Sequence, residues 1–427
     1  MTTTIEPTPT GLTLPKPAHV TATSDQLPAA PAYGVRGAIA RQVVKRILRT
    51  MPVTARLVDG EVYGAPLGEG RPTMDVDQPD AFFARVACSP MIGIGESYMA
   101  REWGAAEGTD LADTLAPFAE RLTELIKPAF YRLRHTVLPR GLNPANTIAG
   151  ARRNIEAHYD LSNDMFQLFL DPSLSYSSAL FSSLRTAPMA ADLEAAQLRK
   201  VDSILDSAGV VEGSRVLEIG TGWGTLAIRA AERGAAVTTV TLSVEQAELA
   251  RERVEAAGVS ALVEVAVRDY RDQQGAFDAV VSVEMVEAVG EEFWPTYFER
   301  IDALLAPNGK AVIQAILIAD NRMVATRGTY TWIHKYVFPG GMLPSVEAIG
   351  RVLRSHTTLH ASNIKPMGMH YAHTLRLWRA QFVANWQHVE DLGFDDRFFR
   401  MWEFYLAYCE AGFRTGYLDV AQIRIER

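Results

Sequence analysis

The sequence has few cysteines and no long apolar run, and both shortages narrow the class of protein. Cys88 and Cys409 are the two cysteines among 427 residues, which is too few for a disulfide framework. No apolar stretch approaches the roughly 18 residues that a membrane-spanning helix needs. The N-terminus lacks a basic segment followed by an apolar core, so we expect no secretory signal. These absences predict a reduced, cytoplasmic protein.

An excess of positive charge is also missing, because the formal net charge is −8. This balance argues against nucleic acid as a partner of the whole chain. Acidic residues, however, are absent from 35–52 and 127–155, which hold five and six Lys or Arg residues. In the first segment four apolar residues recur with a spacing that predicts one shared helical face: Ile39, Val43, Ile47 and Met51. Such segments favour peripheral docking on an anionic membrane, at the inner face of the plasma membrane. A solvated basic face or a contact between domains stays open.

The distribution of proline and of periodic patterns divides the chain into three parts. Residues 1–34 carry six prolines among Thr, Ala and Ser, which predicts a disordered tail. Residues 35–145 are expected to form a smaller helical or mixed domain for lipid docking or dimerisation. Residues 150–427 alternate strands and helices, including a helix near 293–305. This alternation predicts an α/β fold with a doubly wound, mostly parallel, Rossmann-like sheet.

The loops at the carboxyl ends of these strands are expected to line the site, since ligands bind there in open parallel sheets. The loops follow four residues: Ile219, Val240, Val267 and Val283.

The first of these loops lies in the glycine-rich stretch LEIGTGWG. Gly220, Gly222 and Gly224 permit a tight turn and a close approach of the backbone to a ligand. The GxGxG spacing differs from the GxGxxG of dinucleotide sites, and the next strand ends in TLS without an acid for an NAD ribose. Glu218 suits a cation such as the α-amino group of S-adenosylmethionine. A purely structural turn remains the alternative interpretation.

Further motifs occur in order along the chain: GESYMAREW, HYDLSNDMFQLFLD, YSSALF, VTLSVEQ, RDYRD, MVEAVG, KYVFPGGMLPS and YCEAGFRTG. Together with the glycine loop they resemble the cyclopropane-fatty-acyl-phospholipid synthases and related S-adenosylmethionine-dependent acyl-chain methyltransferases. The resemblance extends over residues 85–427. It includes the actinobacterial branch that makes 10-methylene, tuberculostearic-type fatty acids.

The resemblance implies a site for S-adenosylmethionine in which the three glycines pass under the methionine part. Tyr176 and Ser177 are implied to contact its carboxylate. Thr241, Leu242 and Gln246 are implied to bind the ribose, and Asp269 and Tyr270 are implied to flank the adenine.

The family's chemistry is methyl transfer to an alkene, which leaves a carbocation on the acyl chain. Such a cation survives where water is excluded and aromatic faces are near. Trp332, Tyr336 and Phe338 lie in the stretch that lines the substrate in this family. We expect no metal, because His370 and His373 have no evident third ligand.

In this family a bound bicarbonate ion removes a proton from the cationic intermediate. Glu287, Tyr371 and the backbone of Ile316 match positions that hold this ion. Ser178 stands where the family usually has Cys, and Gln314 stands where it usually has His. Both can donate hydrogen bonds to an oxyanion, but they supply no thiol or imidazole. We predict an altered base site, with neutral drift that leaves the reaction unchanged as the alternative.

A weaker or shifted base would give a hydride time to move before the proton is lost. The main hypothesis is therefore methylation of a monounsaturated phospholipid acyl chain to a methylene-branched chain, which a flavin- or NADPH-dependent reductase would saturate. Cyclopropane closure on the same intermediate is the close alternative. A small-molecule methyltransferase, or a silent S-adenosylmethionine-binding module, is a more distant one. The sequence also leaves open whether the protein forms a homodimer.

Overall fold

The computed structural model of the chain describes residues 27–64, 71–125 and 162–427. Most of the expected tail and all of the second basic segment lie outside these residues. The described chain forms a smaller N-terminal unit, from residue 34 to residue 125, and a C-terminal unit, from residue 162 to the last residue.

The N-terminal unit is a mixed four-stranded sheet accompanied by helices. The strand order is β2-β1-β3-β4, with β1 parallel to β3 and both outer strands antiparallel to their neighbours. The strands are β1 (Thr54–Leu57), β2 (Val62–Gly64), β3 (Thr73–Val76) and β4 (Trp103–Ala105). The helices are α1 (Gly34–Leu48), α2 (Pro79–Cys88), α3 (Pro90–Met99) and α4 (Leu111–Leu125). A proline begins both α2 and α3, where a missing N–H costs no helical hydrogen bond.

The C-terminal unit contains a seven-stranded sheet of order β10-β11-β9-β8-β5-β6-β7. The five strands from β5 to β9 are parallel, and β11 runs antiparallel between β9 and β10. The strands are β5 (Arg215–Ile219), β6 (Ala236–Thr241), β7 (Val263–Val267), β8 (Phe277–Val283), β9 (Leu305–Ile318), β10 (His360–Pro366) and β11 (Leu418–Glu426). The strand order reverses between β5 and β8, which opens a crevice at their carboxyl ends.

Helices cover both faces of this sheet, as the alternating pattern predicted. Val216 on β5 packs in the apolar cluster that includes α6 and α7, while its neighbour Leu217 packs in the cluster that includes α10 and α13. The helices are α5 (Asn163–Gln167), α6 (Leu193–Ala208), α7 (Thr225–Glu232), α8 (Val244–Ala256), α9 (Val286–Val289), α10 (Trp294–Leu304), α11 (Asp320–Thr326), α12 (Trp332–Tyr336), α13 (Val346–His356), α14 (Gly368–Ala384), α15 (Trp386–Asp391) and α16 (Asp396–Arg414). The predicted fold class is confirmed.

The predicted apolar face of the first basic helix needs a correction. Helix α1 ends at Leu48, so Met51 lies beyond it and is buried in the core. Ile39 and Val43 are 59% and 51% exposed, whereas Ile47 packs against the core. The four residues therefore do not form one face, because the helix stops one turn too early.

The two units share one apolar core and several ion pairs. Helix α16 packs against α3 and α4, and the Trp103 and Phe404 rings meet edge to face. Arg379 of α14 donates to Asp110 of the N-terminal unit at 2.9 and 2.8 Å and also to the buried Glu410. The N-terminal unit is thus packed against α14 and α16, the two long helices that precede β11. Across the ranges that the structure describes, no helix is both long and apolar enough to cross a membrane.

Candidate active site

One large cavity, of about 770 Å³, lies at the carboxyl ends of the parallel strands. Each of the four loops expected to line the site contributes a residue to its wall: Gly220, Leu242, Arg268 and Glu284. The cavity therefore lies at the crevice between β5 and β8.

The glycine loop adopts a backbone conformation that other residues rarely adopt. The φ angles of Gly220, Gly222 and Gly224 are +98°, +51° and +88°. A Cβ on Gly220 would lie 2.7 Å from Cγ of Met285, while one on Gly222 would meet nothing within 4 Å. The loop is therefore kept bare on its cavity side, as a ligand lying along its backbone requires.

Glu218 is the last residue but one of β5, next to this loop, and is almost fully buried. Its Oε2 accepts a hydrogen bond from Oγ1 of Thr239 at 2.6 Å. Burial raises the pKa of Glu218 to about 8, although Thr239 and the nearby Lys200 oppose the change. A buried carboxyl of this kind is stabilised as an anion when a cationic amino group binds beside it.

The residues expected to bind ribose and adenine lie along the same wall. Thr241 and Gln246 are joined by a 3.2 Å contact between Oγ1 and Oε1, and Leu242 lines the cavity between them. Asp269 is already paired with Arg271, whose guanidinium donates to both carboxylate oxygens at 2.8 and 2.6 Å. The Tyr270 ring also lines this wall and packs edge to face on Tyr297.

Tyr176 and Ser177 also line the cavity. The Tyr176 hydroxyl lies 2.9 Å from that of Tyr405, and Ser177 Oγ accepts from Nζ of Lys200 at 2.8 Å. Sequence reasoning missed Lys200, a cavity-lining lysine on α6 whose pKa burial lowers to about 8. An ammonium group here suits a carboxylate ligand.

The expected base-site residues meet around a carboxylate that the motifs did not single out. Glu284 Oε1 accepts from the backbone N–H of Ser178 and from Nε2 of Gln314, both at 2.9 Å. Glu284 Oε2 accepts from the Tyr371 hydroxyl at 2.8 Å. Ser178 acts through its backbone, since its Oγ donates to the carbonyl of Ala179.

Glu287 also lines this end of the cavity and binds the remaining donor of the expected base site, the backbone N–H of Ile316. Its Oε1 accepts from the backbone N–H of Ile316, and its Oε2 is buried without a hydrogen-bond partner in the part of the chain that the structure describes. Burial raises the pKa of Glu287 to about 8, and the charge of Glu284 adds to the rise. Two carboxyl groups therefore share this end of the cavity.

Of the three aromatic residues expected at the substrate, only Phe338 is in the cavity wall. The Trp332 indole donates to the sulfur of Met99, and the Tyr336 hydroxyl donates to Glu96 at 2.8 Å. These two rings instead fasten α12 to the N-terminal unit.

The cavity continues from the polar end into the N-terminal unit. Its far wall is formed by apolar side chains of that unit, among them Val44, Ile47, Leu57, Phe83, Trp103 and Phe118. These six side chains form the apolar arm of the cavity. The apolar arm is continuous with the part of the cavity at the carboxyl ends of the strands. A long hydrocarbon chain would be shielded from water there.

The bare glycine loop, the buried Glu218 and the parallel sheet define an S-adenosylmethionine-dependent methyltransferase. The family model described as mycolic acid cyclopropane synthetase matches residues 147–423, and the chain belongs to this family.

The relatives agree with this assignment. The chain is 48% identical over 400 residues to tuberculostearic acid methyltransferase UfaA1 of Mycobacterium tuberculosis, covering 93% of each chain. It is 34% identical over 364 residues to cyclopropane-fatty-acyl-phospholipid synthase of Escherichia coli, covering 82% of this chain and 87% of that one. A solved complex of mycolic acid cyclopropane synthase CmaA1 with SAH and CTAB superposes with a TM-score of 0.59 at 29% identity, over 65% of this chain and 98% of that chain.

Proposed function

We propose that this protein transfers a methyl group from S-adenosylmethionine to the double bond of an unsaturated phospholipid acyl chain and leaves a methylene branch. The observation that carries the proposal is the single cavity that joins the glycine loop to the apolar arm. A small-molecule methyltransferase would need the glycine loop but not the apolar arm. The tuberculostearic acid methyltransferase, similar over 93% of both chains, supports the branched product.

The residues of the chain divide the work along this cavity. When bound, S-adenosylmethionine supplies an electrophilic methyl group on a sulfonium. Glu218 would bind the amino group and Lys200 the carboxylate, while Thr241 and Gln246 would hold the ribose. The apolar arm would hold the acyl chain away from water, and the Phe338 ring in the wall would stabilise positive charge near the double bond.

The added methyl leaves a cation on the neighbouring carbon of the acyl chain. A hydride then moves to that carbon from the carbon that bears the new methyl group, which becomes the cationic centre. Loss of a proton from the methyl group forms the methylene double bond. The bicarbonate ion that the family implies as base does not fit, since its expected donors bond to Glu284 and Glu287. The product would be a substrate for a flavin- or NADPH-dependent reductase.

Cyclopropane closure is the second candidate, because it removes a proton from the same methyl carbon and the Escherichia coli relative carries that name. Incubation with S-adenosylmethionine and oleoyl phospholipid vesicles, followed by release and ozonolysis of the fatty acids, separates the two. Ozone converts a methylene branch to a ketone but leaves a cyclopropane intact. The intact ring as sole product would contradict the proposal. SAH binding without turnover of any unsaturated lipid would indicate a silent module.

Peripheral membrane docking through α1 is a further part of the proposal. Val35, Ile39 and Val43 follow one another at four-residue spacing and are 77%, 59% and 51% exposed. Exposed arginines flank this stripe on a helix without acidic residues: Arg36, Arg46 and Arg49. Apolar side chains between basic ones suit an anionic lipid surface.

The triple variant R36E/R46E/R49E should bind anionic vesicles less tightly and retain its affinity for SAH. The matched control is R354E/R376E/R397E, which makes the same charge change at exposed arginines of α13, α14 and α16. Arg41 is left unchanged because it donates to Tyr63 at 2.8 Å and to Asp59 at 2.6 Å. Equal vesicle binding by both triple variants would argue against docking through α1.

A further inference from the structure

Each residue that the family pattern assigns to bicarbonate as a donor has an N–H or O–H group bonded to one of the protein's own carboxylates. Glu284 receives the Ser178 N–H, the Gln314 amide and the Tyr371 hydroxyl at 2.8–2.9 Å. Glu287 receives the N–H of Ile316. The oxyanion that these groups were expected to hold is thus already supplied by a side chain.

The arrangement also puts Glu284 between two of those donor residues, Ser178 and Gln314, and the cavity. Ser178 and Gln314 are almost completely buried, at 0% and 1% exposure, and neither is in the cavity wall. Glu284, Tyr371 and Glu287 are in the wall. An acyl chain in the cavity would therefore meet the Glu284 carboxylate rather than the groups behind it.

The backbone at Glu284 shows that this placement is maintained against strain. Its φ is +51°, in the left-handed region that favours glycine. A non-glycine residue there costs about 1–3 kcal/mol and persists where its surroundings hold it. Three hydrogen bonds hold the Glu284 side chain, and such strain is characteristic of functional sites.

We propose that Glu284 is the general base of the reaction, a resident carboxylate that replaces the bicarbonate ion. This inference rests on the proposed function. After the hydride shift, a C–H bond of the added methyl group breaks, and its electron pair forms the methylene double bond. The proton passes to Glu284, whose Oε2 accepts one hydrogen bond and has a lone pair left, while Oε1 accepts two. Overall, alkene and methyl sulfonium give methylene-branched alkene, thioether and one proton.

The environments of the two carboxyl groups assign this role to Glu284 rather than Glu287. Three donors and the nearby Lys200 stabilise the Glu284 anion, although burial raises its pKa. Glu287 accepts only from backbone N–H groups, among the residues that the structure describes, and its pKa of about 8 keeps it protonated at neutral pH. Neighbouring carboxyl groups held in opposite protonation states are the usual pattern of an acid–base site.

The decisive experiment compares wild-type protein and E284G in CO2-free buffer, with and without added bicarbonate. Glycine suits the positive φ and frees the three donors. We expect wild type to form product at the same rate in both buffers. E284G should lose at least ~100-fold in rate without bicarbonate, the usual contribution of a general base, and regain at least ~10-fold with it. N308G is the matched control, since Asn308 is exposed, has φ +68° and lies outside the cavity wall.

Two further measurements keep the result interpretable. E284Q retains the shape of the side chain but cannot accept the proton, so it should be as slow as E284G and should not respond to bicarbonate. Line broadening of ¹³C-labelled bicarbonate should appear with E284G and be absent with wild type and N308G. A wild type that requires bicarbonate, or an E284Q or E284G that keeps full activity without it, would overturn the inference. If wild type makes no lipid product, the proposed function fails, while the labelled-bicarbonate measurement still tests whether Glu284 occupies the donors.

Discussion

The loops after β5 and β8 lie side by side at the carboxyl edge of the sheet, and both begin with a residue of positive φ. In the first loop that residue is Gly220, with φ +98°, and in the second it is Glu284, with φ +51°. The glycine leaves its loop bare, whereas the glutamate fills its loop with a carboxylate bound by three donors. The first arrangement suits a cofactor that exchanges in every turnover. The second arrangement suits a catalytic group that remains part of the protein throughout the reaction.

The two ends of the cavity also differ in how their residues relate to the family pattern. At the cofactor end, the matched residues apart from Gly224 line the cavity. At the base end, the changed residues Ser178 and Gln314 lie behind Glu284 and serve it. A substitution seen in a motif can thus reflect a new neighbour rather than a lost function.

Among variants that keep Glu284, the largest effect should come from filling the bare loop. In G220A the new Cβ would lie 2.7 Å from Met285 Cγ at a φ of +98°. Strain of about 1–3 kcal/mol together with this clash should weaken SAH binding at least ~10-fold, measured by calorimetry. G258A is the control, because Gly258 has φ +70° in open space outside the cavity. Unchanged affinity in G220A would mean that the cofactor does not lie along this loop.

The sequence was sufficient for the fold and for the position of the cavity. The β-α alternation predicts the parallel sheet, and three glycines at alternate positions predict a loop with positive φ. Both patterns involve residues close together in the sequence, so they can be recognised without knowledge of the tertiary structure. The four strand-ending residues therefore located the cavity wall correctly.

The role of Glu284 could not be read from its local sequence. Its donors come from residues 178, 314 and 371, which are brought together by the pairing of Val283 with Gln314 and by the packing of α14. The useful signal was a carboxylate at the start of a loop already expected to line the site. Trp332 and Tyr336 show the same limit, because an aromatic pattern looks alike in a substrate pocket and in a contact between units.

An intermediate effect should appear in the pH dependence of stability. The pKa of Glu287 is about 8 in the folded protein, above the ordinary value of 4.5. Between these values the folded state keeps a proton that the unfolded state has lost, so this group makes stability fall as pH rises. The slope is at most about 1.4 kcal/mol per pH unit. E287Q removes the titration, and its unfolding temperature relative to wild type should therefore be higher at about pH 8 than at about pH 6. A pH-independent difference would show that Glu287 is already ionised.

The smallest effect is expected where the family residues are restored. S178C/Q314H reinstates the usual Cys and His, but neither position is in the cavity wall. Ser178 contributes its backbone N–H, which cysteine retains, and an imidazole at 314 can still donate to Glu284. The rate should therefore change by less than about 10-fold, as expected for one altered hydrogen bond. Ozonolysis should still give a ketone, and activity should not require bicarbonate. A ring product or a new need for bicarbonate would mean that the two departures, and not Glu284, define the base site, because Glu284 is present unchanged in this variant.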